Sequence, residues 1–292
     1  MSKKHIVFIV NPKSGVERQK EIDLAVSGHL DNKHFSYEIL ITQYAKHGTT
    51  LAQQAAIAGA YAVVAVGGDG SVNDIAHGLA GTGCILGIIP KGSGNGLART
   101  IGLPLDVAQA VQVINRDKVA AIDVGYANDK MFISNAGVAF DALISRKFAK
   151  SEKRGLMVYS WLVTKYLWRY KTWNFGITID GKKVDENAIM VIVANGTQFG
   201  YNFRIAPMAD YTDGLLDLII IRKFPKILGG IIAFRAMTGT IGKSTYVKSF
   251  KGREIKVTHP ALNLMQTDGD AHPCSNSIDF RILQGAQRVF VP

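Results

Sequence analysis

The stretch Val63–Leu79, VVAVGGDGSVNDIAHGL, runs an apolar strand into Gly67, Gly68, Asp69 and Gly70 and then into a helical segment. Glycine loses more backbone entropy on folding than any other residue, so a cluster needs a cause: a positive φ, or a group that must approach the backbone closely. In an open parallel sheet, ligands bind beyond the carboxyl ends of the strands, where bare amides close around a phosphate without Cβ interference. A tight strand-to-helix turn with no ligand accounts for a lone cluster equally well. This cluster has company. Asn11–Gly15, NPKSG, follows the apolar strand HIVFIVNP, and Pro90–Arg99, PKGSGNGLAR, follows CILGIIP. Three strands that end in Gly/Ser/Asn-rich loops on one edge of a sheet point to a phosphate site. There is no GxxxxGK[ST] loop, and no GxGxxG in the first strand-to-helix turn, so the site is of another kind.

Outward from this stretch, apolar strands (HIVFIVNP, FSYEILIT, YAVVAVGG, CILGIIP) alternate with helical segments as far as LDVAQAVQVI, Leu105–Ile114. Continuous apolar strands separated by helices indicate a parallel sheet covered on both faces. We therefore expect an α/β chain whose N-terminal domain, residues 1–124, is a three-layer parallel-sheet unit. Beyond Ile122 the pattern changes to short strands, with Asp180-Gly181, Asp213-Gly214 and Asp268-Gly269 as turn signals. Residues 125–292 read as an antiparallel β-sandwich, interrupted by helical stretches around Ala149–Arg169 and Lys226–Gly242.

Composition narrows the class of function. A formal net charge of +11 favours an anionic partner: nucleotide, nucleic acid or a negative lipid surface. Cys84 and Cys274 have no metal-type spacing and read as reduced structural thiols. The N-terminus has too short an apolar stretch for a signal peptide, and no apolar run reaches the ~18–20 residues of a spanning helix. The expected location is cytoplasmic, with peripheral attachment to a membrane.

In order and spacing, NPKSG, GGDGSVNDIAHGL and GIIPKGSGNGLAR resemble the signatures of the diacylglycerol kinase catalytic-domain family, which includes bacterial lipid kinases and sphingosine kinases. The resemblance continues through IDVGYANDKMFISNAGVAFDA, VANGTQFGYNFRIAPMADYTDGLLDLIII and TDGDAHP, nearly the whole chain. It implies an ATP-dependent, Mg2+-assisted kinase acting on a lipid hydroxyl. By resemblance, Asn11, Pro12, Lys13, Ser14 and Gly15, with Gly67, Gly68, Asp69, Gly70, Ser71, Val72 and Asn73, form the nucleotide-phosphate loops. Thr42 and Ser93 are further nucleotide contacts. Asp213, Leu215 through its backbone, and Asp217 resemble a metal-linked acidic turn, though Asp-Gly is itself a strong turn signal. The late family motif reads Asp-Gly-Glu, with the glutamate as candidate general base. Here it is Asp268-Gly269-Asp270, one methylene shorter, so the catalytic candidates are Asp270 and Asp69. Lys13, Arg18, Lys91 and Arg99 are candidates for neutralising phosphate charge.

On the acceptor side, Ile144–Trp173 carries Arg146, Lys147, Lys150, Lys153 and Arg154, then Trp161, Tyr166, Trp168, Tyr170 and Trp173. Basic residues beside aromatics suit an anionic membrane surface, while a sandwich core with a solvated basic face is the plainer alternative. No RNP, helix-turn-helix or zinc signature supports nucleic acid. Asp141 falls where an amine-bearing lipid would find a counter-ion, and equally where an acidic residue favours a helix start. A homodimer is compatible with these features. Two rival readings stay open: a soluble-substrate kinase of the NAD-kinase type, and a nucleotide- or lipid-binding regulator without catalysis.

Overall fold

The computed structural model describes residues 3–12, 16–151, 155–199 and 202–292; the side chains of residues 16–19 are not described. The chain forms two units, one of Met1–Ile122 with Gly285–Pro292, the other of Asp123–Gln284. The linear division after Val124 differs from this in two respects: the second unit begins two residues earlier, at Asp123, and the last eight residues belong to the first unit.

In the first unit, strands β1 (Lys4–Val10), β2 (Phe35–Ile41), β3 (Ala62–Gly67) and β4 (Ile85–Pro90) are parallel, in the order β2-β1-β3-β4. The helices between them are α1 (Val16–His29), α2 (His47–Ile57) and α3 (Asp69–Leu79), with α4 (Gly96–Thr100) and α5 (Val107–Asn115) after β4. Because strand–helix–strand crossovers are right-handed, a chain that steps one way from β1 to β2 and the other way from β2 to β3 puts helices on opposite faces. Accordingly α1 packs with α5, and α2 with α3. The strand order reverses direction between β1 and β3, the kind of switch point at which open parallel sheets bind ligands. Strands β3 and β4 are buried along their entire length, as their unbroken apolar sequences require.

The second unit begins within β5 (Val119–Ala127) and continues through β6 (Lys130–Phe132), β7 (Asn135–Ala139), α6 (Phe140–Ala149), α7 (Leu156–Leu167), β8 (Trp173–Ile179) and β9 (Lys182–Ala194). After these come β10 (Leu216–Arg222), α8 (Gly229–Met237), β11 (Val247–Gly252), β12 (Glu254–Thr258), β13 (Leu264–Thr267), β14 (Asp270–Pro273) and β15 (Ser277–Phe290). Among the described residues the strand pairings within this unit are antiparallel: β9 pairs with β7, β8 and β10, and β13 with β7 and β14. The α/β organisation with a C-terminal antiparallel sandwich is as the sequence indicates. Alternation along β9 and β10 explains their continuous apolar runs. Val191, Val193, Leu218 and Ile220 join one core with Phe175, Val257 and Phe280. Ile192, Ile219 and Ile221 face the other way, into a second core with Phe140, Leu162 and Ile232 from the helices. Asp180-Gly181 and Asp268-Gly269 are two-residue hairpin loops with positive φ at both positions, the conformation that Asp-Gly favours. No described helix is long and apolar enough to cross a membrane.

Strand β15 explains the division of units. Its first residues pair with β12, while Val289 pairs in parallel with Leu86 of β4. Phe290 is 1% exposed, beside Gly87 and Tyr61. Truncating a buried Phe to Ala costs about 3–5 kcal/mol. Phe290→Ala is therefore expected to destabilise the first unit by that amount in urea unfolding, and a loss below about 1 kcal/mol would contradict this placement.

Candidate active site

Three loops converge at the carboxyl edge of β1, β3 and β4. Asn11, directly after β1, donates its amide to the Val66 carbonyl at 3.3 Å and its side-chain amide to Ser71 Oγ at 3.3 Å. Lys91, directly after β4, donates its amide to the Gly67 carbonyl at 2.8 Å. Thr42, directly after β2, donates its amide to the Val10 carbonyl at 3.0 Å. The loop ends are thus stitched strand to strand before any ligand is considered.

Asp69 makes the strongest tie. One carboxylate oxygen accepts the Gly96 amide at 2.6 Å and the other the Asn95 amide at 2.9 Å. Those amides open α4, where a helix has no internal acceptors for its own donors. Asn95 sits at φ +53 and returns two bonds to Gly92, one to its amide at 3.0 Å and one to its carbonyl at 2.8 Å. Burial pushes the Asp69 carboxyl above its ordinary range, while the Gly96 and Asn95 amides pull it back down. Its geometry is that of a tie between two loops.

The glycines have separate causes, and none of Gly67, Gly68 and Gly70 has a positive φ. A Cβ on Gly68 would lie 3.0 Å from the Gly92 Cα, and one on Gly92 would run into the Gly68 backbone. These two glycines let one loop lie directly on the other. A Cβ on Gly67 would meet Ser71 Oγ at 2.5 Å, whereas one on Gly70 would meet nothing within 4 Å among the described residues. The first turn of α3 is therefore open above Gly70. Val72 is a core side chain, and Asn73 is 6% exposed with its Oδ1 lacking a hydrogen-bond partner among the described residues. Pro12 and Ser93 are exposed in their loops. Lys13, Ser14 and Gly15 lie outside the described residues, as do Lys153 and Arg154 and the side chain of Arg18. Lys91 pairs with Glu21 at 2.8 Å, and Arg99 Nε donates to the Gly94 carbonyl at 3.0 Å.

In the second unit, Asp213 accepts the Leu215 amide at 3.0 Å and meets Lys251 Nζ at 2.7 Å; Asp217 Oδ2 lies 3.4 Å from the same ammonium. Burial pushes the Asp217 carboxyl up, and Lys251 opposes the shift. The expected acidic turn does bring Asp213, Leu215 and Asp217 together. Two carboxylates offer hard oxygen donors suited to Mg2+, and Asp217 is buried. Lys251 neutralises the same pair. Among the described residues no group of three or more His, Cys, Asp or Glu is arranged to hold a metal.

Asp270 is half-buried and opens β14 opposite Thr267. The turn before it is fixed by its neighbour: the Asp268 carboxylate accepts the amides of Ile133 (2.8 Å), Ser134 (2.8 Å) and Asn135 (3.0 Å). Gln266 Oε1 accepts the Gly269 amide at 2.7 Å, and Gln266 Nε2 donates to Asn135 Oδ1 and Asp141 Oδ2 at 2.8 Å each. Asp141 is fully enclosed, and burial pushes its carboxyl up to about 6 against the opposing Gln266 bond. Sequence reasoning missed two anchors. Asp123 accepts the Gly214 amide at 2.7 Å, and Asn195 Nδ2 donates to the Asp123 and Ile133 carbonyls at 2.8 Å each. The available signal was a polar residue inside an apolar run, AAIDVGY and IVANG.

Two family models match the chain, one after the other. Residues 5–127 match the model of the diacylglycerol kinase catalytic domain, and 134–291 match the YegS C-terminal NAD kinase beta sandwich-like domain. A Chromohalobacter salexigens protein named "Probable lipid kinase YegS-like" is 33% identical over 226 residues, 75% of this chain and 72% of its own. The diacylglycerol kinase of Bacillus subtilis is 26% identical over 268 residues, 90% of this chain and 88% of its own. The crystal structure of a diacylglycerol kinase from Bacillus anthracis shares the fold: TM-score 0.73 at 23% identity, over 100% of this chain and 98% of that one.

Two outcomes test this geometry. Gly70→Ala is expected to hold or raise the melting temperature, since Ala favours a helix and has open space there. Gly92→Ala, which must push the Gly68 loop away, is expected to lower it; equal melting temperatures would contradict the loop packing. Asp141 gives a pH signature. Its carboxyl is raised from 3.8 to about 6 on folding, so it costs no stability below pH 3.8 and costs progressively more as pH rises through 6. The full effect is on the order of 2–3 kcal/mol. Relative to wild type, Asp141→Asn is expected to gain stability between pH 4 and pH 7.5 in urea unfolding; parallel curves would contradict the assignment.

Proposed function

This chain belongs to the family that joins a diacylglycerol kinase catalytic domain to a YegS-type C-terminal domain, and on that premise we propose that it transfers the γ-phosphoryl group of ATP to the hydroxyl of a lipid such as diacylglycerol or a sphingoid base. The observation that carries the reading is the convergence of the β1, β3 and β4 loops, tied by Asp69 and Asn95 beside the open first turn of α3. Phosphoryl transfer needs positioning and charge neutralisation more than covalent chemistry. The amides at the start of α3 would receive phosphate oxygens, with the helix dipole favouring the negative charge. With both its oxygens engaged by amides, Asp69 is a positioning residue that holds the cradle closed. Asp270 then takes the proton from the acceptor hydroxyl, its place fixed by Asp268 and Gln266. Mg2+, held by Asp213 and Asp217, would supply further neutralisation of phosphate charge. The names of the relatives, diacylglycerol kinase and YegS-like lipid kinase, support a lipid acceptor. The match to an NAD kinase beta sandwich-like domain favours a second reading, a kinase for a soluble substrate.

Labelled ATP offered with micelles of diacylglycerol or sphingosine, and separately with NAD alone, separates these readings. Label is expected in a lipid product. Asp270→Asn is expected to cut kcat by about 10²–10⁴ with little change in the KM for ATP, and Asp270→Glu, which restores the family's residue, to keep or raise the rate. Phosphorylation of NAD with every lipid untouched would overturn the lipid reading. Nucleotide binding with no turnover on either would favour a regulator, and full activity in Asp270→Asn would return the base to Asp69.

A further inference from the structure

Helix α8 is apolar on two sides. Ile232 and Ala236 are buried with Leu162 and Phe224 in the core beneath the helices. Ile231 and Phe234, 52% and 65% exposed, lie on the other side with Met237, in line with Ile227 of the preceding turn. A helix resting on a folded core ordinarily presents a polar outer stripe; here the one charge on α8 is Arg235. Helix α7 repeats the arrangement. Met157 and Trp161 are four residues apart and share its outer face with Trp168 at its end, 57% and 62% exposed for the two tryptophans, while Leu162 is buried. The two helices adjoin. Lys226 Nζ donates to the Trp168 and Tyr170 carbonyls at 2.8 Å each, and a Cβ on Gly229 would lie 3.0 Å from Leu167 Cδ2.

The two stretches of chain that carry these faces have charge of one sign. No acidic residue lies between Glu152 and Asp180, or between Asp217 and Glu254, although both stretches are rich in Lys and Arg. Lys165 Nζ sits 4.5 Å above the Trp161 ring, a cation and an aromatic at one level of the surface. Two copies of the chain meeting through this face would bring like charges together without an acidic partner, in a protein of net charge +11. An anionic bilayer complements both features, apolar insertion at the headgroup boundary and basic residues over the headgroups.

We propose that the outer faces of α7 and α8 form a single docking surface for an anionic lipid bilayer. The choice of a bilayer rests in part on the lipid-kinase reading, so the test omits ATP and turnover. The full chain is sedimented with vesicles of phosphatidylglycerol and phosphatidylcholine, and with vesicles of phosphatidylcholine alone, while tryptophan emission is recorded. Wild type is expected to bind the anionic vesicles with a blue shift, and more weakly as salt rises. The double variant Trp161→Ser/Phe234→Ser is expected to lose binding about tenfold or more with an unchanged unfolding midpoint, because both side chains are exposed. Absent binding, equal binding to neutral vesicles, or a double variant that binds like wild type would overturn the proposal. So would a wild-type dimer in solution that Phe234→Ser dissociates. Vesicle binding without phosphorylation of any lipid would sink the kinase reading and leave this surface standing.

Discussion

The Asp69 carboxylate, shared between the amides of Asn95 and Gly96, is the constraint on which the candidate site depends. Helix α4 has five residues and cannot satisfy the donors at its own start. Asp69 satisfies them from the neighbouring strand's loop, so the β3 and β4 loops are positioned as one body. Hydrogen bonds to a charged group contribute about 1.5–3 kcal/mol each, against a burial that raises the carboxyl's affinity for a proton. Gly68 and Gly92 make the tie possible, because any larger residue at either position would hold the backbones apart.

The second unit uses the same device. Asp268 gathers three amides from Ile133–Asn135, Asp180 takes the amides of Arg253 and Glu254, and Asp123 takes that of Gly214. In each case a carboxylate joins segments that are remote in sequence. The network at Gln266 goes further and encloses Asp141, a buried acid with one hydrogen bond. Such a group costs stability where it is charged, and the hairpin that presents Asp270 is built directly on it.

Local rules made much of this legible in the sequence. The Asp-Gly hairpins could be read because their loops demand positive φ, and β3 and β4 because strands buried on both faces leave an unbroken apolar run. What escaped reading depends on partners far along the chain. The clustered glycines left a positive φ and a close approach equally open, and the backbone that Gly68 lies against is Gly92, which no local pattern shows. Lys251 meets Asp213 across 38 residues, on a strand, β11, whose alternating sequence gave a weak signal. The aromatics after Ile144 looked alike. Trp161 and Trp168 are exposed, while Tyr170 and Trp173 pack against the sandwich core. The end of β15 reads as one more sandwich strand, and only pairing with β4 places it in the first unit.

Amide hydrogen exchange at Asn95 and Gly96 tests the central claim most directly. In wild type these two amides are expected to be protected, although they stand at a helix start where exchange is ordinarily fast. Asp69→Ala is expected to abolish protection at both while leaving the amides of β1 and β3 slow. Protection of Asn95 and Gly96 that survives the loss of Asp69 would contradict the account, since something other than this carboxylate would then be holding the two loops together.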